Sequence, residues 1–150
     1  MARSLQPVWF KKNWLASAAY TTTTTSAALA LPLGDCYMLF ASSSAASGTS
    51  PTLDVVLQSS IDGGTTYINL PIRFTQITTT ATEMVIFKNG LGGNEVALAN
   101  LVADTGGQLA KNCLFDPNFM KVKVTVGGST PSITLVIHAA VLPVGRQGEL

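Results

Sequence analysis

The sequence predicts an all-β domain, an antiparallel β-sandwich or jelly-roll-like fold with an extended N-terminal arm. Three observations predict it. Short apolar segments alternate with period two, which puts every second side chain on one face of a strand. Clusters of Gly, Asn, Asp, Pro and Ser cut these segments apart at turn spacing. No stretch sustains the 3.6-residue periodicity of a long amphipathic helix. About eight strands with short connections fit two packed sheets.

Along the chain, residues 1–27 read as an arm with a Thr-rich end, and residues 28–150 as the β domain. The segment up to Asn13 is basic and aromatic and lacks periodicity, with Pro7, Trp9, Phe10, Lys11 and Lys12 followed by Trp14. Both tryptophans lie in it and must dock, either on their own domain or on a neighbouring subunit. The β-branched run Thr21 to Thr25 favours extended backbone. Cys36 to Ala41 is apolar on both faces, as an inner strand is, and the small residues Ser42 to Ser50 read as a flexible loop.

Leu53, Val55 and Leu57 form the next strand, and Asp62-Gly63-Gly64 turns it into Ile68, Leu70, Ile72 and Phe74. Pro71 inside that run marks an edge or bulged strand. Met84 to Phe87 is a further strand closed by Asn89-Gly90. Glu95 to Leu101 reads as a strand from its alternation, with a short helix as the alternative from its Ala and Leu content, and Asp104 to Asn118 as a long interaction loop. Val122, Val124 and Val126 then alternate with Lys121, Lys123 and Thr125. Gly127-Gly128 is expected to turn that strand into Ile133 to Val141 as a hairpin.

Composition narrows the function. The chain has 150 residues, 47% of them apolar and 11% charged, with a net charge of +1. One self-sufficient core is expected at this size. The near-zero charge lacks the basic excess that a nucleic-acid backbone requires. Every apolar run is too short to cross a bilayer as a helix, and the Thr run interrupts any signal-peptide core. Average soluble domains carry about 25% charged residues. So sparse a surface charge points to burial in an oligomer or larger assembly.

Chemistry finds little footing. Cys36 and Cys113 read as buried reduced thiols, with one disulfide between them as the alternative, and one histidine with no CxxC pair leaves no zinc site. His138 on an apolar strand reads as a hydrogen-bonded structural residue, and a Cys–His nucleophile is the remote alternative. Asp54 and Asp62 could be imagined as paired carboxylates, but the turn explains Asp62 better. Phosphate-cradling and nucleophile-elbow motifs are absent. No enzymatic activity, cofactor or metal is expected.

One motif stands out. Ser60-Ile61-Asp62-Gly63-Gly64-Thr65-Thr66-Tyr67 fits the Asp-box pattern S-x-D-x-G-x-T-[WFY], with Ser60, Asp62, Gly64, Thr66 and Tyr67 in place. Its physical content is a turn whose carboxylate accepts backbone N–H groups while the ring packs beneath. A single copy does not make the repeated array of sialidase-type propellers, and no activity carries over. Together, LDVVLQSSIDGGTTYINLPIRF (53–74) and FMKVKVTVGGSTPSITL (119–135) resemble small all-β virion proteins of tailed bacteriophages.

That resemblance implies a non-enzymatic structural protein of the virion. The expected role is a capsid decoration or cement protein that binds and stabilises the shell of major capsid protein. It would be a homo-oligomer, for which a trimer is one symmetric solution. Trp9, Phe10 and Trp14 would anchor it, with Lys11 and Lys12 as a polar rim. A neck or tail component is the alternative. So is a glycan-binding surface module using Tyr67, Phe115, Asn112 and Asn118.

Overall fold

The computed structural model describes residues 8–89 and 110–142. The strand expected at 95–101, the glycines at 90–93 and the start of the expected loop at 104–109 lie outside them. Among the described residues there are seven strands and no helix: β1 (Trp9–Tyr20), β2 (Thr24–Thr25), β3 (Cys36–Ser59), β4 (Ile68–Arg73), β5 (Ala81–Asn89), β6 (Ala110–Cys113) and β7 (Met120–Leu142). They form one sheet in the order β1-β7-β3-β5-β6, with β2 added to β7 and β4 to β3. All pairs are antiparallel except β5 with β6. The all-β class is therefore as expected.

β3 and β7 are the frame. They span 24 and 23 residues and pair with each other from Cys36↔Leu142 to Ser59↔Met120. This corrects two expectations. Ser42 to Ser50 is not a loop, and Gly127-Gly128 is not a hairpin turn; both lie inside the long strands. Their small polar residues mark a corner in each strand. Gly48 and Ser50 carry φ of 106° and 49°, and Gly128 and Thr130 carry 101° and 47°. Register shifts fall at Ser47/Thr49 and Thr49/Thr52, so the ladder survives the bend as a bulged pair.

The corners fold the sheet over one core. Tyr37, Leu39 and Ala41 before the corner of β3, and Leu53, Val55 and Leu57 after it, are all buried and share a single apolar cluster. Val122 and Val124 join from one half of β7, and Ile133, Leu135 and Ile137 from the other. β4 also lies against β5 and β6, although it is hydrogen-bonded only to β3. Burying one such aliphatic side chain contributes about 1.5–3 kcal/mol.

The expected hairpin between β3 and β4 is present, from Ser59↔Ile68 to Val56↔Arg73. A register shift falls between Val56 and Gln58, opposite Pro71, as a proline in a strand requires.

The chain from residue 9 to 27 is not a free arm. β1 pairs with β7 from Trp9↔Val141 to Tyr20↔Ile133, and β2 pairs Thr24 and Thr25 with Val124 and Lys123. Periodicity missed β1 because two register shifts break its alternation, at Lys11/Leu15 and Leu15/Ala18. Asn13 sits in the first with φ of 55°, a left-handed conformation that Asn tolerates. Likewise residues 110–113, expected within an irregular loop, pair in parallel with Ile86 to Asn89.

Candidate functional site

Two places carry side chains of functional interest: the turn joining β3 to β4, and the outer face of the sheet beside β1.

The turn is built around two side chains. Ser60 Oγ donates to Asp62 Oδ1 at 2.6 Å and accepts from the N–H groups of Gly64 (2.9 Å) and Asp62 (3.3 Å). Asp62 Oδ1 also accepts from the N–H groups of Thr66 (2.8 Å) and Thr65 (3.1 Å). The hydrogen bond from the Ser60 hydroxyl, then those from Thr66 and Thr65, stabilise the carboxylate and lower its pKa from 3.8 to about 2. Gly63 and Gly64 have φ of 73° and 91°, which suits the reversal. A side chain at Gly64 would meet the Phe119 ring at 2.9 Å.

Tyr67 closes the turn, and its ring lies 3.9 Å beneath Lys121 Nζ. Ser59 Oγ donates to the Asp116 carbonyl at 3.2 Å and accepts from its N–H at 3.0 Å. Asp116 in turn accepts from the N–H and side-chain amide of Asn118 at 2.9 and 3.1 Å. Ser60, Asp62, Gly64, Thr66 and Tyr67 thus come together as the motif predicts, with Ser60 Oγ and Asp62 Oδ1 both engaged by groups of the turn itself. The arrangement fixes a turn; it does not present a reacting group.

Other expected chemistry is dispersed. Asp54 accepts from Gln76 Nε2 at 3.1 and 3.2 Å, and five residues of strand, about 17 Å, separate Ser59 from Asp54. His138 Nδ1 accepts from the N–H of Asn13 at 2.9 Å, which pins the β1 bulge. Cys36 pairs with Leu142 and His138 with Phe40, so four ladder steps, about 13 Å, keep this thiol from the imidazole. Burial pushes the Cys36 thiol up, with Asp35 adding to the rise and Lys88 opposing it. The Cys113 side chain lies outside the described residues. Among the described residues no group of His, Cys, Asp and Glu could hold a metal ion.

The glycan candidates are not assembled either. Phe115 is buried, ringed by Tyr37 at 5.0 Å and Phe87 at 5.3 Å. It was expected to be a loop aromatic, but its core partners sit on β3 and β5, which no local pattern reveals. The Asn112 side chain lies outside the described residues.

The expected anchors divide. Trp14 is 2% exposed in the core and donates from Nε1 to the Ala30 carbonyl at 3.0 Å. It is therefore removed from the set of surface anchors. Trp9 is half-buried against the same core. Phe10 is 59% exposed, and Lys11 and Lys12 are exposed beside it on the same strand.

Phe10 opens onto a wider surface. The ladder places it in a row with Ala140, Met38 and Ile86, on the side opposite the core. The next row is His138, Phe40 and Met84, and the third is Val136, Ser42 and Thr82. Asp, Glu, Lys and Arg are absent from these paired positions, and Lys12 lies in the β1 bulge opposite His138. Beyond the corners the outer face changes character: Asp54 pairs with Thr125, Val56 with Lys123 and Arg73, and Gln58 with Lys121 and Asn69. The same sheet thus has one wetted end and one apolar end. The two-sided apolar strand at Cys36–Ala41 is an inner strand, as its sequence predicts, paired with β7 on one side and β5 on the other.

Buried Glu83, which no local pattern singles out, accepts from the Thr75 N–H at 2.9 and 3.0 Å and from its hydroxyl at 2.7 Å. No family model matches the chain, and neither the curated proteins nor the solved structures give a match to it. No helix among the described residues is long and apolar enough to cross a membrane.

Proposed function

We propose that the chain is a non-enzymatic structural protein of a virion, of the capsid decoration type, binding the shell of major capsid protein. The observation that carries this reading is the uncharged outer face of Phe10, Met38, Phe40, Met84, Ile86 and Val136. Phe10 is exposed and the other five are half-buried, and on a chain with 11% charged residues such a face supports a surface covered in an assembly. The resemblance of 53–74 and 119–135 to phage virion proteins names the kind of assembly.

The anchors in this reading are Phe10 and the strand face behind it, with Lys11 and Lys12 at the rim; Trp14 serves the fold. The test is co-sedimentation with shells of the same virus that lack the protein. Phe10→Asp and Met38→Glu, each with an unchanged β-sheet circular dichroism spectrum, are expected to lose binding at least tenfold. Undiminished binding by both variants rejects this face as the contact. A wild-type chain that ignores shells but joins necks or tails moves the role there.

A further inference from the structure

The corner of β3 reads Gly48-Thr49-Ser50-Pro51-Thr52-Leu53-Asp54-Val55-Val56-Leu57. The corner of β7, 80 residues later, reads Gly128-Ser129-Thr130-Pro131-Ser132-Ile133-Thr134-Leu135-Val136-Ile137. Gly, Pro and the second Val are identical. Thr exchanges with Ser, Leu with Ile and Val with Leu, and the one change of class, Asp54 to Thr134, faces outward. The positive φ angles fall on the same two positions of each strand.

The pairing repeats with the same offset. Tyr20 of β1 pairs with Ile133, while Ile77, beyond the end of β4, bridges to Leu53. Thr25 of β2 pairs with Lys123, while Ala81 of β5 pairs with Ser43. In both cases the two partner positions differ by 80. β1 and β4 also share a bulge: Lys11 to Leu15 spans two residues of β7, and Asn69 to Arg73 spans two residues of β3.

We infer that the chain is a tandem pair of one strand unit, residues 9–59 and 68–142, in which β1, β2 and β3 correspond to β4, β5 and β7. β6 is an addition to the second unit. Every ladder among the described residues except β5 with β6 joins one unit to the other. Each unit is therefore the other's binding partner, and its short strands complete only the opposite long strand. The turn at Ser60–Tyr67 is the covalent joint. The other two ends meet as well, since Trp9 pairs with Val141. The surface between the units is thus a recognition surface for the complementary half, independent of the joint.

The test uses the full chain with a site-specific protease sequence inserted between Gly63 and Gly64, where a side chain at Gly63 would meet nothing within 4 Å. After cleavage of the folded protein, the two halves are expected to co-elute at the size of the intact chain with an unchanged β spectrum. Separated in denaturant, neither half is expected to regain that spectrum alone, and mixing them restores it. The melting temperature of the cut protein then rises with concentration, as mass action demands. A half that folds by itself, or halves that part on cleavage, overturns the inference. A second variant exchanges the two corners, with Thr49→Ser and Ser50→Thr combined with Ser129→Thr and Thr130→Ser. A melting temperature within about 4 °C of wild type is expected, a shift worth about 1 kcal/mol or less in a domain near this size. Loss of folding shows the corners to be inequivalent and also overturns it.

Discussion

Gly48 and Gly128 occupy matching positions in the two long strands, and each backs onto the other's corner. A β-carbon at Gly48 would lie 2.5 Å from the Thr130 carbonyl oxygen, and one at Gly128 would lie 2.5 Å from that of Ser50. Both have positive φ. Neither position therefore has room for a side chain, and neither backbone suits one.

Gly48→Ala and Gly128→Ala are accordingly expected to destabilise the fold by similar amounts, on the order of 2–4 kcal/mol each from overpacking and backbone strain. Gly63→Ala, with positive φ but open space around it, is expected to cost about 1 kcal/mol. Urea denaturation of the three variants checks the ranking. A Gly63 effect larger than the other two would contradict the corner geometry.

Trp14→Ala is expected to cost about 3–5 kcal/mol, because the indole is buried in the core and its N–H holds Ala30. Phe10→Ala, on an exposed ring, is expected to stay within about 0.5 kcal/mol of wild type while weakening shell binding. Equilibrium unfolding paired with co-sedimentation separates the two roles that the sequence groups together.

The Asp62 carboxylate titrates near 2 in the folded chain, against an ordinary value of 3.8. A depressed carboxylate adds stability that is complete above the unfolded value and is lost as pH falls toward the folded one. Its contribution should therefore fade between about pH 5 and pH 2. Asp62→Ala is expected to lower the melting temperature at pH 7 and to reduce the further decline below pH 4. Melting curves across that range measure it, and a variant with the wild-type acid slope would show that other groups carry it.

The buried Glu83 carboxylate holds the N–H and hydroxyl of Thr75, an exposed residue just after β4. Glu83→Ala removes a charge-assisted acceptor from the Thr75 N–H and hydroxyl on an exposed residue, at a cost of about 1 kcal/mol. Hydrogen exchange at Thr75 is expected to accelerate with the loss of stability. An unchanged exchange rate there would show that the carboxylate does not protect the amide.

The β class, the Ser60–Tyr67 turn, the β3–β4 hairpin and the irregularity at Pro71 were legible because each is a local matter. Alternation with period two, a carboxylate that gathers N–H groups within four residues, and a proline without a donor all act over a few bonds. The turn was the best resolved of the site residues for the same reason.

What only the tertiary structure decided concerns partners far away in sequence. Ser42 to Ser50 and Gly127-Gly128 have the composition of loops, yet each is held extended by a strand some 80 residues distant, whose hydrogen bonds outweigh local turn preference. Trp14 and Phe10 look alike in sequence, but the bulge at Asn13 places one in the core and leaves the other on the outer face. Phe115 has the sequence surroundings of a surface ring, because nothing near it in the chain reveals Tyr37 and Phe87. Alternation tells a strand which side chains share a face; only the closing of the sheet on itself determines which face is covered and by what.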